Sequence, residues 1–288
     1  MSKDQAQRPV GTRRIRSWIA GLCLFFFCGA LTLPTTSRAA DPQAVFGVFP
    51  YLSPKRISAD FITLRNALQK AADRPLALRT APSYGAFSAD TIAGKYDVVF
   101  TPPHYAVAAE QEAGFLRIAM TQYQIRGAII VRDDAPVRAV ADLRGKVVAV
   151  PPRDSLVYLL AMGTLHHNGL EPGRDTNLEI YDTNENALAA FLRGETDAGI
   201  VGKLMLTRIP ERNALRIIGE TEAMPGFMVM AHPRGPQETV EKWRATLLGF
   251  GETSEGKTYF QATGHVAFNP IDDAAMASLE RHLRSMSR

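Results

Sequence analysis

Residues 142–169 read DLRGKVVAVPPRDSLVYLLAMGTLHHNG, and this stretch decides the fold class. Asp142 to Lys146 is a polar turn, and Val147 to Val150 is a short apolar run rich in valine. Four such residues between turn signals predict a strand buried on both faces. Two prolines end it. From Ser155 to His167 the spacing predicts a helix, with a serine at its start and Asn168-Gly169 at its stop. A buried strand that passes within a few residues into a helix is one βα unit of an open sheet.

The alternation continues in both directions. Downstream, a strand around Leu178 to Tyr181 precedes a helix from Glu185 to Arg193, with Gly194 at its end. Asp197 to Val201, Leu215 to Ile218 and Phe227 to Met230 read as further strands, and helices follow at about 239–250, 255–262 and 273–285. Upstream, Val45 to Phe49 is a strand, and Phe61, Leu64 and Leu68 mark one helix face at i, i+3 and i+7. Leu76 to Leu78, a short helix around Phe87 to Ala93, the strand Asp97 to Phe100 and a helix from about Tyr105 to Ala113 complete the series. Gly127 to Val131 is a strand that changes neighbourhood. Two βα series parted near residue 130, with a return by residue 231 to a helical tail, predict two lobes. The expected limits are 41–128 with 232–288 for the first lobe and 129–231 for the second, so the chain crosses between them twice.

Residues 1–40 read as a cleavable signal peptide. Arg13, Arg14 and Arg16 precede a stretch from Ser17 to Ser37 without charge, and its core, Trp18 to Leu33, is densely apolar. That core is shorter than the ~20 residues of a spanning helix. Pro34 breaks it, and Ser37-Arg38-Ala39-Ala40 offers small residues for cleavage before Asp41. Thr12-Arg13-Arg14 leaves twin-arginine export open, although Arg16 stands where that pattern has an apolar residue. Leu22 and Phe27, directly before Cys23 and Cys28, are too large for lipid attachment. The mature chain is therefore expected to act outside the cytoplasm.

Removing the signal changes the bulk numbers. Of 33 basic and 29 acidic side chains, residues 1–40 hold six basic ones and Asp4, which leaves 27 against 28. The basic balance belongs to the targeting segment, so no nucleic-acid partner is implied. Cys23 and Cys28 leave with it, which excludes disulfides, thiolate nucleophiles and Cys-held metals from the mature chain.

In open α/β sheets, ligands bind beyond the carboxyl ends of the strands, where helix N-termini face outward. The loops so placed are Pro50-Tyr51, Ser83-Tyr84, Pro103-His104-Tyr105 and Pro152-Arg153-Asp154-Ser155, and Asn184 is expected to cap a fifth helix at the same edge. Tyr51, Tyr84, His104, Tyr105, Arg153, Ser155 and Asn184 are thus candidate ligand-binding residues, joined by Arg126 before the crossing strand. Lys203, just past Gly202, is a basic residue comparable to Arg126. His166 and His167 are adjacent on a helix and point about 100° apart, so they do not form a metal pair. Asp97 and Asp197 are expected to brace strand starts. No metal site and no cofactor is expected: there is no GxGxxG or Walker pattern.

This layout resembles the phosphate/phosphite/phosphonate-binding family of periplasmic substrate-binding proteins, partners of ABC transporters, from about Val45 to Leu283. The pieces that carry the resemblance are Ala81-Pro82-Ser83-Tyr84, Gly94-Lys95-Tyr96-Asp97-Val98 with Tyr105, and Asp142 to Ala149. Gly194-Glu195-Thr196-Asp197-Ala198-Gly199 and Phe268-Asn269-Pro270-Ile271-Asp272-Asp273 add to it. The resemblance implies an α/β fold of the two-lobed periplasmic binding protein type II. Each lobe would be an open, mostly parallel sheet flanked by helices, and a two-strand hinge would join them. It also implies a periplasmic, monomeric binder of a small, phosphate- or phosphonate-like anion that serves an ABC importer permease, or alternatively a membrane sensor kinase.

Family members grip an oxyanion with two tyrosines, matched here by Tyr84 and Tyr105. They add a Ser-Thr-Ser-Gly turn and a histidine in the next helix. Ser155 matches the turn's last serine, Arg153 and Asp154 replace its first two hydroxyl residues, Leu156 replaces the glycine, and Asn184 holds the histidine position. Asp154 would repel a dianion unless it turns away, while Arg153 could hold one bidentately.

The residues themselves favour binding over catalysis. G-x-S-x-G, H-E-x-x-H and S-x-x-K are absent, and nothing places two carboxylates on converging loops. An enzyme on the same scaffold is the alternative from another class.

Overall fold

The computed structural model describes residues 43–286; the signal-peptide assignment to 1–40 lies outside them. Strand β1 (Ala44–Val48) buries Ala44, Phe46 and Val48 completely. Helix α1 (Pro54–Ala72) starts with Pro54, whose fixed φ suits the first helical position. It buries Ile57, Phe61, Leu64 and Leu68 and ends at Asp73 in the left-handed region, φ 50°. Then come β2 (Leu76–Arg79), α2 (Tyr84–Ile92), β3 (Val98–Thr101), α3 (Pro103–Ala113) and β4 (Leu116–Thr121). The middle of the chain holds β5 (Gly127–Arg132), β6 (Val147–Val150), α4 (Leu156–His167), β7 (Asn177–Ile180), α5 (Asn184–Arg193), β8 (Ala198–Gly202) and β9 (Leu215–Glu220). A 3-10 helix, Lys203–Arg208, follows β8 directly. Strand β10 (Met228–Ala231), α6 (Gln237–Leu248), α7 (Ser254–Thr263), β11 (Phe268–Asn269) and α8 (Asp273–Met286) complete the described chain.

Two sheets result, with orders β11-β4-β10-β3-β1-β2 and β7-β6-β8-β5-β9. Apart from the added β11 they have one topology, in which β1, β2, β3, β10 and β4 correspond to β6, β7, β8, β5 and β9. In each sheet, β11 aside, the strand that arrives from a crossing runs against the rest. β10 is antiparallel to β3 and β4, and β5 is antiparallel to β8 and β9. β1 with β2 and β3, and β6 with β7 and β8, are parallel. The sheets are therefore mixed, because a chain that crosses and returns must insert one strand per sheet in the opposite sense.

This pairing moves the expected lobe limits. Gly127 and Ala128 pair with Val201 and Gly202 in the second sheet, and Met228 to Ala231 pair with β3 and β4 in the first. The exchanges fall at 122–126 and 221–227, where Ile125 and Met224 form an antiparallel bridge. A lone apolar run such as 227–231 fits either sheet by pattern, and only its hydrogen bonds decide.

The two aspartates act as braces in both sheets. Asp97 Oδ2 accepts the Val45 N–H at 2.8 Å, and Asp197 Oδ2 accepts the Val147 N–H at 2.9 Å. The carboxylates fix β1 against β3 and β6 against β8 by charge-assisted bonds. Among the described residues no helix is long and apolar enough to cross a membrane.

Candidate functional site

The helices α1 to α5 all begin at the carboxyl ends of parallel strands, and these ends face each other across a cavity of about 70 Å³. That is room for roughly five water-sized centres, or one small ligand. Each βα turn contributes to the wall: Phe49 and Tyr51 after β1, Tyr84 after β2, Pro102 and His104 after β3. Across from them stand Ser155, Leu156 and Val157 after β6, Asn184 after β7, and Gly202 to Met205 after β8. The crossing segments add Tyr123, Ile125, Arg126 and Phe227.

Local sequence explains why these side chains point inward. Ser83 Oγ accepts the Ala86 N–H at 3.1 Å, and Thr183 Oγ1 accepts the Asn186 N–H at 3.0 Å. These caps make Tyr84 and Asn184 the first helical residues of α2 and α5, at corresponding places in the two lobes. Asn184 was expected to be the cap; Thr183, with its β-branched hydroxyl one residue earlier, fills that role instead. The two lobes then meet, as Asn184 Nδ2 donates to the Tyr84 hydroxyl at 3.1 Å. Burial pushes the Tyr84 hydroxyl's pKa up, partly offset by this bond, so it stays protonated. Phe49 packs on Tyr84 and Tyr105, with ring centroids at 4.4 and 5.1 Å, and holds both rings.

More bonds close the lobes. His104 Nε2–H donates to the Asp154 carbonyl at 3.1 Å, which leaves its buried Nδ1 as an acceptor without a partner. Tyr105 donates its hydroxyl to Asp154 Oδ2 at 2.9 Å. The Ser53 N–H donates to Glu185 Oε2 at 2.8 Å. Arg208, at the end of the 3-10 helix, donates to Asp60 Oδ2 of α1 at 2.7 Å and also to the Ala262 carbonyl of α7.

Electrostatics single out one wall. Lys203 is paired with Glu220 at 2.6 Å and Arg208 with Asp60. The Arg126 guanidinium has no carboxylate or hydrogen-bond partner among the described residues. Ser155, 3 % exposed, stands at the N-cap of α4 without making a side-chain capping bond. The first N–H groups of α4 lack intrahelical partners, as at any helix start, and favour negative charge. Tyr51 Oη and Asn184 Oδ1 are also buried without partners. An otherwise apolar wall thus offers one unpaired cation, a helix N-terminus and several unmet hydrogen-bonding atoms.

Six expected site residues line this cavity together: Tyr51, Tyr84, His104, Arg126, Ser155 and Asn184. Tyr105 and Arg153 do not. The Tyr105 hydroxyl is taken by Asp154, and Arg153 turns outward, stacks over the Tyr158 ring at 5.8 Å and donates to its hydroxyl at 3.0 Å. An exposed arginine gains more from a neighbouring aromatic face than from crossing Asp154. Sequence reasoning missed Tyr123, Phe227, Leu204, Met205 and Arg208. Lys203 lies on the wall but is neutralised by Glu220. Among the described residues no group of three or more His, Asp or Glu is disposed to hold a metal.

Two histidines, one half-buried (His104) and one fully buried (His265), make stability depend on pH. Burial lowers His104 to about 4 and His265 to about 3. The Asp154 carbonyl acts in the opposite sense on His104, and the nearby Arg208 lowers His265 further. An unfolded histidine takes its proton near pH 6.5, so the unfolded chain binds more protons below that pH. Stability should therefore fall as pH drops from about 6.5 towards 4, by on the order of 3 kcal/mol for each histidine. Urea midpoints at pH 7 and 4.5 check this, and equal midpoints would contradict it.

The comparisons with known proteins agree with this architecture. The family described as "ABC transporter, phosphonate, periplasmic substrate-binding protein" matches residues 46–276. The structure is similar to that of PhnD1 from Prochlorococcus marinus in complex with methylphosphonate, with a TM-score of 0.77 and 14 % identity over 85 % of this chain and 98 % of that one. It is also similar to a binding protein component of an ABC phosphonate transporter from Pseudomonas aeruginosa (TM-score 0.76, 16 % identity, 85 % and 87 % covered). The periplasmic aliphatic sulphonate binding protein SsuA from Escherichia coli is a further relative in fold (TM-score 0.59, 16 % identity, 85 % and 92 % covered). At these identities the likenesses show the fold. No curated protein sequence matches significantly. With the family matched across both sheets and every βα turn of the cavity, the chain belongs to the phosphonate-type periplasmic substrate-binding proteins of ABC transporters.

Proposed function

We propose that the mature chain, exported by cleavage of residues 1–40, acts in the periplasm as a monomer. It captures a small organic anion of the phosphonate or sulfonate type between its lobes and presents it to an ABC importer. The observation that supports this best is Arg126, an unpaired cation on the wall of a small apolar cavity, beside the start of α4. Arg126 is half-buried, and a cation that faces a largely apolar cavity without a partner draws an anionic ligand, which supplies one. Binding without turnover is favoured by the matched family, which is described as periplasmic substrate-binding proteins of transporters.

Thermal-shift and calorimetric titrations of residues 41–288 with methylphosphonate, ethanesulfonate and inorganic phosphate test the reading. At a hundredfold excess over Kd, a ligand adds about 2.7 kcal/mol, a rise of roughly 5–10 °C in Tm for a chain of this size. The ligand should be recovered unchanged. No shift with any of the three, or consumption of the compound that stabilises, would refute it.

A further inference from the structure

A carboxylate of the protein itself stands at the edge of the cavity, next in sequence to the lining residue Ser155 and bonded to a tyrosine hydroxyl. Asp154 Oδ2 takes the Tyr105 hydroxyl at 2.9 Å, and its negative charge helps keep both Tyr105 and Tyr84 protonated. The residue is held at both ends, because its backbone carbonyl accepts from His104 Nε2 at 3.1 Å. Asp154 therefore faces the first lobe and does not swing away from it. It directly precedes Ser155, which lines the cavity.

The cations set the charge that can be accepted. Lys203 and Arg208 are neutralised by Glu220 and Asp60, and Arg126 alone carries an unbalanced charge on the cavity wall. One negative charge on a ligand satisfies it. A second would find no cation and would lie near Asp154. Phe49, Leu52, Leu204 and Phe227, which also line the cavity, suit an apolar substituent and cannot stabilise a further charge.

We propose that Asp154 is a specificity-determining residue that restricts the cleft to singly charged anions bearing an apolar group and excludes dianions. This rests on the reading of the cavity as an anion site. It narrows the ligand class to monoanionic sulfonates, carboxylates and phosphonate monoesters.

Ethanesulfonate and sulfate separate the charge states, since both are tetrahedral at sulfur and hold one and two charges across neutral pH. Calorimetry on residues 41–288 should show ethanesulfonate binding at least tenfold tighter than sulfate. Asp154→Asn keeps the shape, the backbone carbonyl and an acceptor for Tyr105, and removes only charge. In this variant sulfate should gain about tenfold relative to ethanesulfonate, the size expected of one partly exposed charge. Sulfate binding equal to or tighter than ethanesulfonate in the wild type overturns the proposal and leaves the anion site standing. So does an unchanged ratio in the variant. The wild-type ratio decides alone should the variant not fold. If neither anion binds either protein, the proposal falls, and the anion site falls with it where methylphosphonate and phosphate fail to bind as well.

Discussion

Replacing Arg126 with alanine is expected to weaken binding of a monoanionic ligand at least a hundredfold, while the Tm of the ligand-free protein stays within about 2 °C. The asymmetry follows from its surroundings. Among the described residues no carboxylate pairs with this guanidinium, so its removal orphans no buried anion in the free protein. The ligand, by contrast, loses its one unbalanced countercharge, a change that costs about 2–5 kcal/mol in comparable desolvated pairs. Lys203→Ala provides the contrast, because it leaves Glu220 without its 2.6 Å partner and should disturb the free protein as well. Arg126→Lys keeps the charge but not the planar fork, and an intermediate loss of about tenfold is expected. Calorimetric titration with ethanesulfonate reads all three. Binding by Arg126→Ala within threefold of wild type would remove Arg126 from the site.

Why Arg126 was recognisable in the sequence and Arg208 was not is a matter of range. Arg126 precedes the strand Gly127–Val131, whose change of neighbourhood could be read from the order of elements. Arg208 matters because it reaches Asp60 and Ala262, residues 148 and 54 positions away, and no local pattern announces such a contact. The same limit explains why two candidates, Tyr105 and Arg153, stand off the cavity wall. The loop that carries Arg153 was placed correctly at the end of β6, but the direction of its side chain depends on Tyr158 one helical turn later. Tyr105 reached the edge of the site, and Asp154 from the other lobe claimed its hydroxyl.

Elements with strong local signals were readable. The valine run of β6, the helix face of α1 and the glycine stops after α4 and α5 each appear where the pattern put them. Strand β4, Leu116–Thr121, was not, because an arginine at 117 interrupts its apolar run and only pairing with β10 and β11 makes it a strand. The shared topology of the two sheets was hidden as well. It survives in placement, with Tyr84 and Asn184 as first helical residues 100 positions apart, and in residue identity at the braces Asp97 and Asp197. Tyr84 and Asn184 keep one backbone role while their side chains diverge, and this divergent pair now joins the lobes.

Gly226→Ala is expected to destabilise the protein by about 4 kcal/mol and to lower Tm by roughly 10 °C. A Cβ at this position would lie 2.3 Å from both the carbonyl oxygen and Oγ1 of Thr121, and 2.5 Å from the Tyr123 carbonyl. Two of these three oxygens are backbone and cannot rotate aside, so the crossing segments would have to part. Parting them breaks the bonds that join the hinge. The Thr121 N–H donates to the Phe227 carbonyl at 2.8 Å, and the Phe227 N–H donates to Thr121 Oγ1 at 2.9 Å. Each is buried and costs about 1 kcal/mol or more to lose. The damage extends to the site, since Phe227 stacks on Phe100 at 4.9 Å and packs against Tyr51 at 4.9 Å. Arg126 lies on the segment that would move. Ligand affinity should therefore fall together with stability, unlike in Arg126→Ala, where the two separate. Gly85→Ala serves as the control: a Cβ there meets nothing within 4 Å, so helix propensity should leave stability unchanged or slightly raised. Urea denaturation of both variants distinguishes the cases, and a Gly226→Ala protein as stable as wild type would show that the two crossing segments can separate at little cost.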